Sequence, residues 1–470
     1  MTSAQRFRGS RIMQRRQFTR LSLFLFGLGL ADCSDNQVES TKGFTINRSN
    51  SLRIWWSQGY YPEETDALKE IIARWTQKSG IKVELSLLSE KDTLKELNNA
   101  IAAGNPPDIF YSIEADTQII PRLAWNNQLA DVSEVVEPIE KLYTGSVLQN
   151  VSYLNNVAKK RSYYAVPIMQ YSVYIHCWQD LLAAIGKTPD AIPKDWQGFW
   201  QFWHFAQQQL RRQGQQTIYG IGLPMSQASD TFDIFENFLE AYNVKLINPN
   251  GRLLLDNPQV RQGITAALGK YTNFYKNGTV PPEAVDWGNT DNNIAFLSRT
   301  TLMTANPSLS IPGSQRQDQA IYTKQLATIP WPNKPKVEPM KPIASIGQVI
   351  LLERSDKKQV AKDFLSYLVQ PQNLETYIHG SQGRFVPVVP KLLADRFWND
   401  GTDPHISVAL KQLQQTTRLP YQVFTPIYAE VQSQNVWGKA IRTIVVDGLS
   451  VVQASNQAIA QIKQIFADWK

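Results

Sequence analysis

The chain has 470 residues, 43% hydrophobic and 11% aromatic, a globular composition with core material for about two or three domains. Formal net charge is +7, and no Lys/Arg run beyond residue 20 forms a nucleic-acid patch, so no nucleic-acid partner is expected. The two cysteines, Cys33 and Cys177, are placed too differently to make a disulfide framework or a metal site.

The first informative stretch is Arg15-Arg16-Gln17-Phe18-Thr19-Arg20, followed by the apolar run Leu21–Leu30. A basic region before a short apolar run reads as a signal peptide, here over residues 1–33. The run falls well short of the roughly 20 residues a spanning helix needs. The paired arginines before Phe18 look like a twin-arginine export signal. Residues 1–12 add nothing recognisable, and Met13 fits as the initiator. Leu30-Ala31-Asp32-Cys33 resembles a lipobox, which makes Cys33 the expected lipidation site, although Asp32 departs from the small residue usual there. An exported, periplasmic protein touching the membrane only through Cys33 is expected. Residues 34–50 are polar and read as a tether.

Elements then follow in order. Leu52–Trp56 predicts a strand, and Leu68, Ile71, Ile72 and Trp75 predict a helix over 63–79 that Gly80 closes. Ile81–Leu85 alternates as a second strand, and Leu94, Leu97 and Ile101 share one face of a helix over 90–103. Gly104 suits a left-handed stop, Pro106 and Pro107 prevent continuation, and Ile109-Phe110-Tyr111 is a short buried strand. The order β-α-β-α-β predicts a parallel sheet whose ligand lies past the strands' carboxyl ends.

Tyr164–Ile175 reads as a long strand, in which Cys177 just beyond is a buried thiol. Asp195 can cap a helix over 196–212, whose Trp196, Phe199, Trp200 and Trp203 read as core. Ile218–Pro224 is a further strand, and a helix over 257–277 starts after Asn257-Pro258. The proline-rich run 329–342 reads as an extended connection, Ile343–Leu352 as a returning strand, and 426–470 as helical with a break at Gly448.

Five motifs in order carry a resemblance. They are "LRIWWSQG" through "AIAAGNPPDIFYS", the run Tyr164–Ile175, Ala295–Asn306, Asp356–Leu368 and Gly383–Val388. Together they resemble the extracellular solute-binding proteins of the maltose-binding type over nearly all of 52–470. The resemblance implies an α/β fold of two lobes (type II periplasmic binding protein), with hinge crossovers near 166–171 and 340–348 and a ligand cleft between the lobes. It also implies a first lobe of 51–167 plus 343–405 and a second of 168–340 plus 406–470. Three departures stand out: Arg299 where the family has Gly, Pro307-Ser308 for Gly-Pro, and Leu309 for a Trp that stacks on sugar. Trp287 or Trp331 could supply that ring.

No catalytic constellation is legible. The four histidines, His176, His204, His379 and His405, show no metal-ligand spacing and read as structural or surface residues, and neither a cofactor nor a metal is expected. Sugar binding asks instead for aromatic faces and for Asp, Glu, Asn, Gln or Arg on loops past the strands. Those positions are Gln58 and Tyr60 after the first strand, then Ser112, Glu114 and Asp116 after the third. Gln170 and Tyr171 lie at the hinge, Asp230, Phe232, Trp287 and Asn306 on the second lobe, and Arg384 after the returning elements.

The maltose contacts of the family are not preserved at Ser112, Ala115 and Asp116. The expected function is that of a non-enzymatic, monomeric substrate-binding component of an ABC importer. It would capture a carbohydrate or polyol-derived solute and deliver it to the permease subunits. The rivals are a binding protein for glycerophosphate, peptide or polyamine, a periplasmic glycosidase or lyase, and a chemoreceptor-linked sensor of the same fold. Glu114 and Asp116 would suit a cation, and Arg384 an anion.

Overall fold

Residues 51–469 are described by the structure, a computed structural model; the signal, lipidation and tether readings on residues 1–50 lie outside the described residues. Among the described residues eleven strands occur in chain order: β1 (Leu52–Ser57), β2 (Val83–Leu88), β3 (Ile109–Tyr111), β4 (Ser152–Asn155), β5 (Lys160–Tyr163), β6 (Val166–Tyr171), β7 (Tyr174–Trp178), β8 (Tyr219–Gly222), β9 (Thr301–Asn306), β10 (Leu326–Ile329) and β11 (Ser345–Leu351). They form a five-stranded sheet in the order β2-β1-β3-β11-β6, a four-stranded sheet in the order β10-β7-β9-β8, and the hairpin β4-β5.

The first sheet arises as the βαβαβ pattern predicts. β1 runs parallel to β2 and β3, and β11 returns antiparallel against β3. Gly104 ends the second helix in the left-handed region at φ 73°, so the chain turns back and aligns Ile54 with Ile109. All three residues of β3 are buried. The second strand lies two to three residues later than the alternation predicted, because pairing of Leu52 with Val83 through Ser57 with Leu88 sets its register.

Each sheet has its own core. The first packs Trp56, Phe110, Val349 and Phe364; the second packs Trp200, Trp203, Phe238, Tyr271 and Trp437. The aromatic stripe of the helix Trp196–Arg212 is therefore core, as its spacing suggested, and Asp195 caps it by accepting from Gly198 N at 2.8 Å. Cys177 is buried in the same core, and burial pushes its thiol up to about 12. Arg299 sits at φ 61°, a conformation that favours glycine. Its guanidinium holds there by bonding Asp180 at 2.8 Å and covering the Trp178 ring at 4.1 Å.

The predicted single strand over 164–175 needs correcting. Backbone pairing stops at Ser172-Val173, so β6 belongs to the first sheet and β7 to the second. Two further segments cross between the sheets, 330–344 and 415–420. The crossings are bonded to one another: Ser172 Oγ donates to Ile343 O at 2.8 Å, and Gln412 Nε2 donates to Ser172 Oγ at 3.0 Å and Val173 O at 2.9 Å. Arg418 N donates to Pro342 O at 2.9 Å. Two separate cores are thus joined by three thin crossings. Among the described residues no helix is long and apolar enough to cross a membrane.

Candidate functional site

The carboxyl ends of β1 and β3 face the second sheet across a polar cleft of about 650 Å³, open to solvent. A second space of about 430 Å³ continues it behind Tyr171 toward the crossings, sharing Thr117, Asp233 and Ser345 with the first. Direct bonds span the cleft. Asn289 Nδ2 donates to Glu114 Oε1 at 2.5 Å, Gln118 Nε2 to Ser229 Oγ at 3.1 Å, and Asn293 Nδ2 to the Tyr60 hydroxyl at 3.3 Å. These bonds hold the lobes in a closed arrangement.

Of the residues picked from the strand ends, Tyr60, Glu114, Tyr171, Asp230, Asn306 and Arg384 line the cleft. Tyr60 leaves β1 on a loop set by its own N–H donating to Glu64 Oε2 at 3.1 Å. Glu114 precedes the short helix after β3, and burial, with the charge of Glu90 adding, pushes its carboxyl up to about 7. Asp230 lies in the first turn of the helix Ser229–Ala241, 8% exposed, with Oδ2 unpartnered. Burial drives its carboxyl well above the usual range, and Glu90 and Glu114 push the same way. Asn306 ends β9 and donates to Ser308 O at 2.9 Å and Ser310 Oγ at 3.0 Å.

Arg384 is not a free cation. It pairs with buried Glu64 at 3.4 Å and lies over the rings of Phe385 and Tyr60 at 4.6 and 5.1 Å. The expectation that it would suit an anion is thereby weakened, since Glu64 already supplies the countercharge.

The other picks lie elsewhere. Gln58 is exposed and outside the cleft lining. Ser112 is fully buried beneath the wall. Asp116 is one layer below the cleft: its Oδ2 accepts from the Tyr171 hydroxyl at 2.8 Å, its Oδ1 has no partner, and burial pushes it up to about 8. Gln170 ties β6 to Pro387 O at 2.8 Å. Phe232 and Trp287 belong to the second core, because their faces of the chain turn inward, and neither Trp287 nor Trp331 lines the cleft. Tyr60 and Tyr171 are the aromatic residues that do line the cleft.

Sequence reasoning missed Glu90, Asp233, Asn289 and Asn293. Asp233 was within reach, since it lies three residues after Asp230 and so on the same helix face. Glu90 opens the helix that leaves β2, and the two asparagines sit in the stretch Gly288–Asn293 with no periodic signal. None of the four histidines lines the cleft. His176 and His405 share Thr328 at 2.9 and 2.6 Å, and burial lowers them to about 3 and about 4. The reading of no metal spacing also needs correcting at His379. Glu375 is one turn before it, and their ligand atoms lie within 4.8 Å of those of Asp395. The His379–Asp395 pair at 3.4 Å and the cap that Asp395 makes on Phe397 N account for that arrangement.

Two α/β lobes on bonded crossings, closed over one polar cleft, define a two-lobe solute-binding protein of the maltose-binding type. The chain belongs to the bacterial extracellular solute-binding protein family, whose model matches residues 70–406. It is 21% identical over 360 residues to the Escherichia coli K12 protein YcjN, described as an ABC transporter periplasmic-binding protein, covering 75% of this chain and 77% of that one. In structure it is similar to an ABC transporter solute-binding protein of Thermotoga lettingae bound with α-D-tagatose (TM-score 0.73, 19% identity, 89% of this chain and 100% of that chain). It is also similar to maltose-bound MalE3 of T. maritima (TM-score 0.71, 16% identity, 88% and 100%).

Proposed function

We propose that this protein captures a carbohydrate or sugar-derived solute between its lobes and delivers it to the membrane permease of an ABC importer. The observation that carries the reading is the cleft itself. Its buried lining is made of side chains that bond hydroxyls, namely Glu114, Asp230, Asn293 and Asn306, beside one accessible ring, Tyr60. Both structural relatives reported above were solved with a sugar.

Tyr60, Glu114, Tyr171, Asp230, Asn306 and Arg384 are the proposed contact residues. Rotation about the crossings at 172–173, 330–344 and 415–420 would open the cleft, and ligand would favour closure by bridging the lobes. The protein would act as an exported monomer, held at the membrane through Cys33.

Thermal unfolding with a panel of mono- and disaccharides tests the reading. A ligand at one hundred times its Kd adds about 2.7 kcal/mol of stability, enough to read as a rise in Tm. A rise with glycerophosphate or peptides and none with sugars would sink the carbohydrate reading. Products after prolonged incubation with disaccharides would instead favour the glycosidase.

A further inference from the structure

The charge balance of the cleft is uneven. Four carboxylates line it, Glu90, Glu114, Asp230 and Asp233, against a single cation, Arg384. That cation is already matched by Glu64. Among the described residues that line the cleft there is no lysine or histidine, and the further acids beside it are Glu64 on Arg384, Asp116 below Tyr171 and Glu236 in the adjoining space. Neutral amides bond two of the four, Asn289 to Glu114 and Gln432 Nε2 to Asp233 Oδ1 at 3.0 Å, so the lining holds no further cation to match its carboxylates.

A second observation points to what is missing. Asp230 Oδ2 and Asn293 Oδ1 are buried in side chains 8% and 3% exposed, line the cleft, and have no hydrogen-bond partner. Both are acceptors, so the absent group is a donor. Asp230 Oδ2 is carried by a carboxylate in the first turn of a thirteen-residue helix, where the backbone dipole favours the ionised form. A neutral hydroxyl would satisfy the geometry but leave the charge uncompensated, which is costly in a closed cleft.

A metal ion does not fit. Among the described residues, the set of three ligating groups that converges within 4.8 Å is Glu375, His379 and Asp395, none of which lines the cleft. The cleft carboxylates are spread along its walls, two on one helix face from the second lobe and two from the first. A spread set of acceptors suits an extended organic cation, whose ammonium offers several donors and whose remaining groups reach the other walls.

We propose that the solute carries a protonated amine, as an amino sugar does, and that Asp230 receives it, with Asp233 and Glu114 supplying the surrounding negative charge. This rests on the carbohydrate reading above and narrows it. Burial and mutual repulsion raise Glu114, Asp230 and Asp233 together, so negative charge in this cleft is costly until a cation arrives. On binding, the ammonium offsets that repulsion and favours the ionised form of Asp230.

The test is a titration of the whole exported chain with three β-1,4-linked disaccharides that differ only at C2. These are diglucosamine (ammonium), N,N′-diacetylchitobiose (amide) and cellobiose (hydroxyl); spermidine is an amine without a sugar. At neutral pH diglucosamine should bind about tenfold or more tightly than the other two sugars. In Asp230→Asn and in Asp233→Asn the preference for diglucosamine over cellobiose should shrink toward parity. Cellobiose or the diacetyl sugar binding as tightly as diglucosamine in the wild type overturns the amine inference and leaves the carbohydrate reading standing. Spermidine binding more tightly than all three sugars keeps the amine and overturns the carbohydrate reading. Binding of none of the four overturns both.

Discussion

Replacing Asp116 with asparagine should flatten the pH dependence of stability. Asp116 is 3% exposed, with one oxygen bonded to Tyr171 at 2.8 Å and the other bare. Burial is the main reason its carboxyl rises from 3.8 to about 8, against the opposing bond from Tyr171. The folded state thus keeps a proton that the unfolded chain releases above about pH 4. Stability from this group is complete below the unfolded value and is lost as pH climbs from about 4 to about 8.

Roughly four pH units at about 1.36 kcal/mol each set a ceiling near 5–6 kcal/mol. Relaxation and water entry lower it, and about 2–3 kcal/mol is expected. Asparagine imitates the protonated acid, keeps an acceptor for the Tyr171 hydroxyl and cannot ionise. Urea unfolding at about pH 5, 7 and 9 should therefore show the stability gap between the two proteins moving in favour of the variant as pH rises, by about that amount. Glu114, raised to about 7, and Asp230 and Asp233 remain in the variant, so some slope persists. Parallel curves for wild type and variant would refute the argument that Asp116 is folded in its neutral form.

Three further outcomes follow from the geometry. Trp287→Ala should cost about 3–5 kcal/mol in urea unfolding, as truncation of a core aromatic does, with sugar affinity of the folded protein unchanged. Lost affinity at intact stability would return Trp287 to the site. Arg384→Met should lower Tm by leaving Glu64 buried and unpaired, a penalty of about 3–5 kcal/mol, and adding Glu64→Gln should recover most of it. Gln412→Ala removes the donors to Ser172 Oγ and Val173 O at the crossings. It should cost about 1–2 kcal/mol and widen the ligand-free particle in small-angle scattering.

Local rules carried much of this fold. Gly104 at φ 73°, the Asp195 cap and the helical spacing of Trp196, Phe199, Trp200 and Trp203 each follow from one turn of chain and its own chemistry. Arg299 shows the limit of such rules. Nothing nearby in sequence says that a long side chain can hold a left-handed position; Asp180 and Trp178, more than a hundred residues earlier, make it possible. The break at Ser172-Val173 was invisible for a like reason. Apolar and aromatic residues run from Tyr164 to Ile175 with only Gln170 and Ser172 between them, and the separate pairing of β6 with β11 and β7 with β9 divides the run.

The sequence by itself determined the βαβαβ start and the strand ends from which a cleft is built, because periodicity, caps and turn residues act over a few positions; the two-lobe class came with the family resemblance of its motifs. The tertiary structure alone decided which of those residues face the cleft. Asp230 and Phe232 are two apart on one helix, yet one lines the cleft and the other fills the core. Glu90, Glu114 and the pair Asp230 and Asp233, far apart in sequence, come together in one cleft lining. Burial and charge repulsion depend on distance in space, and separation along the chain does not report it.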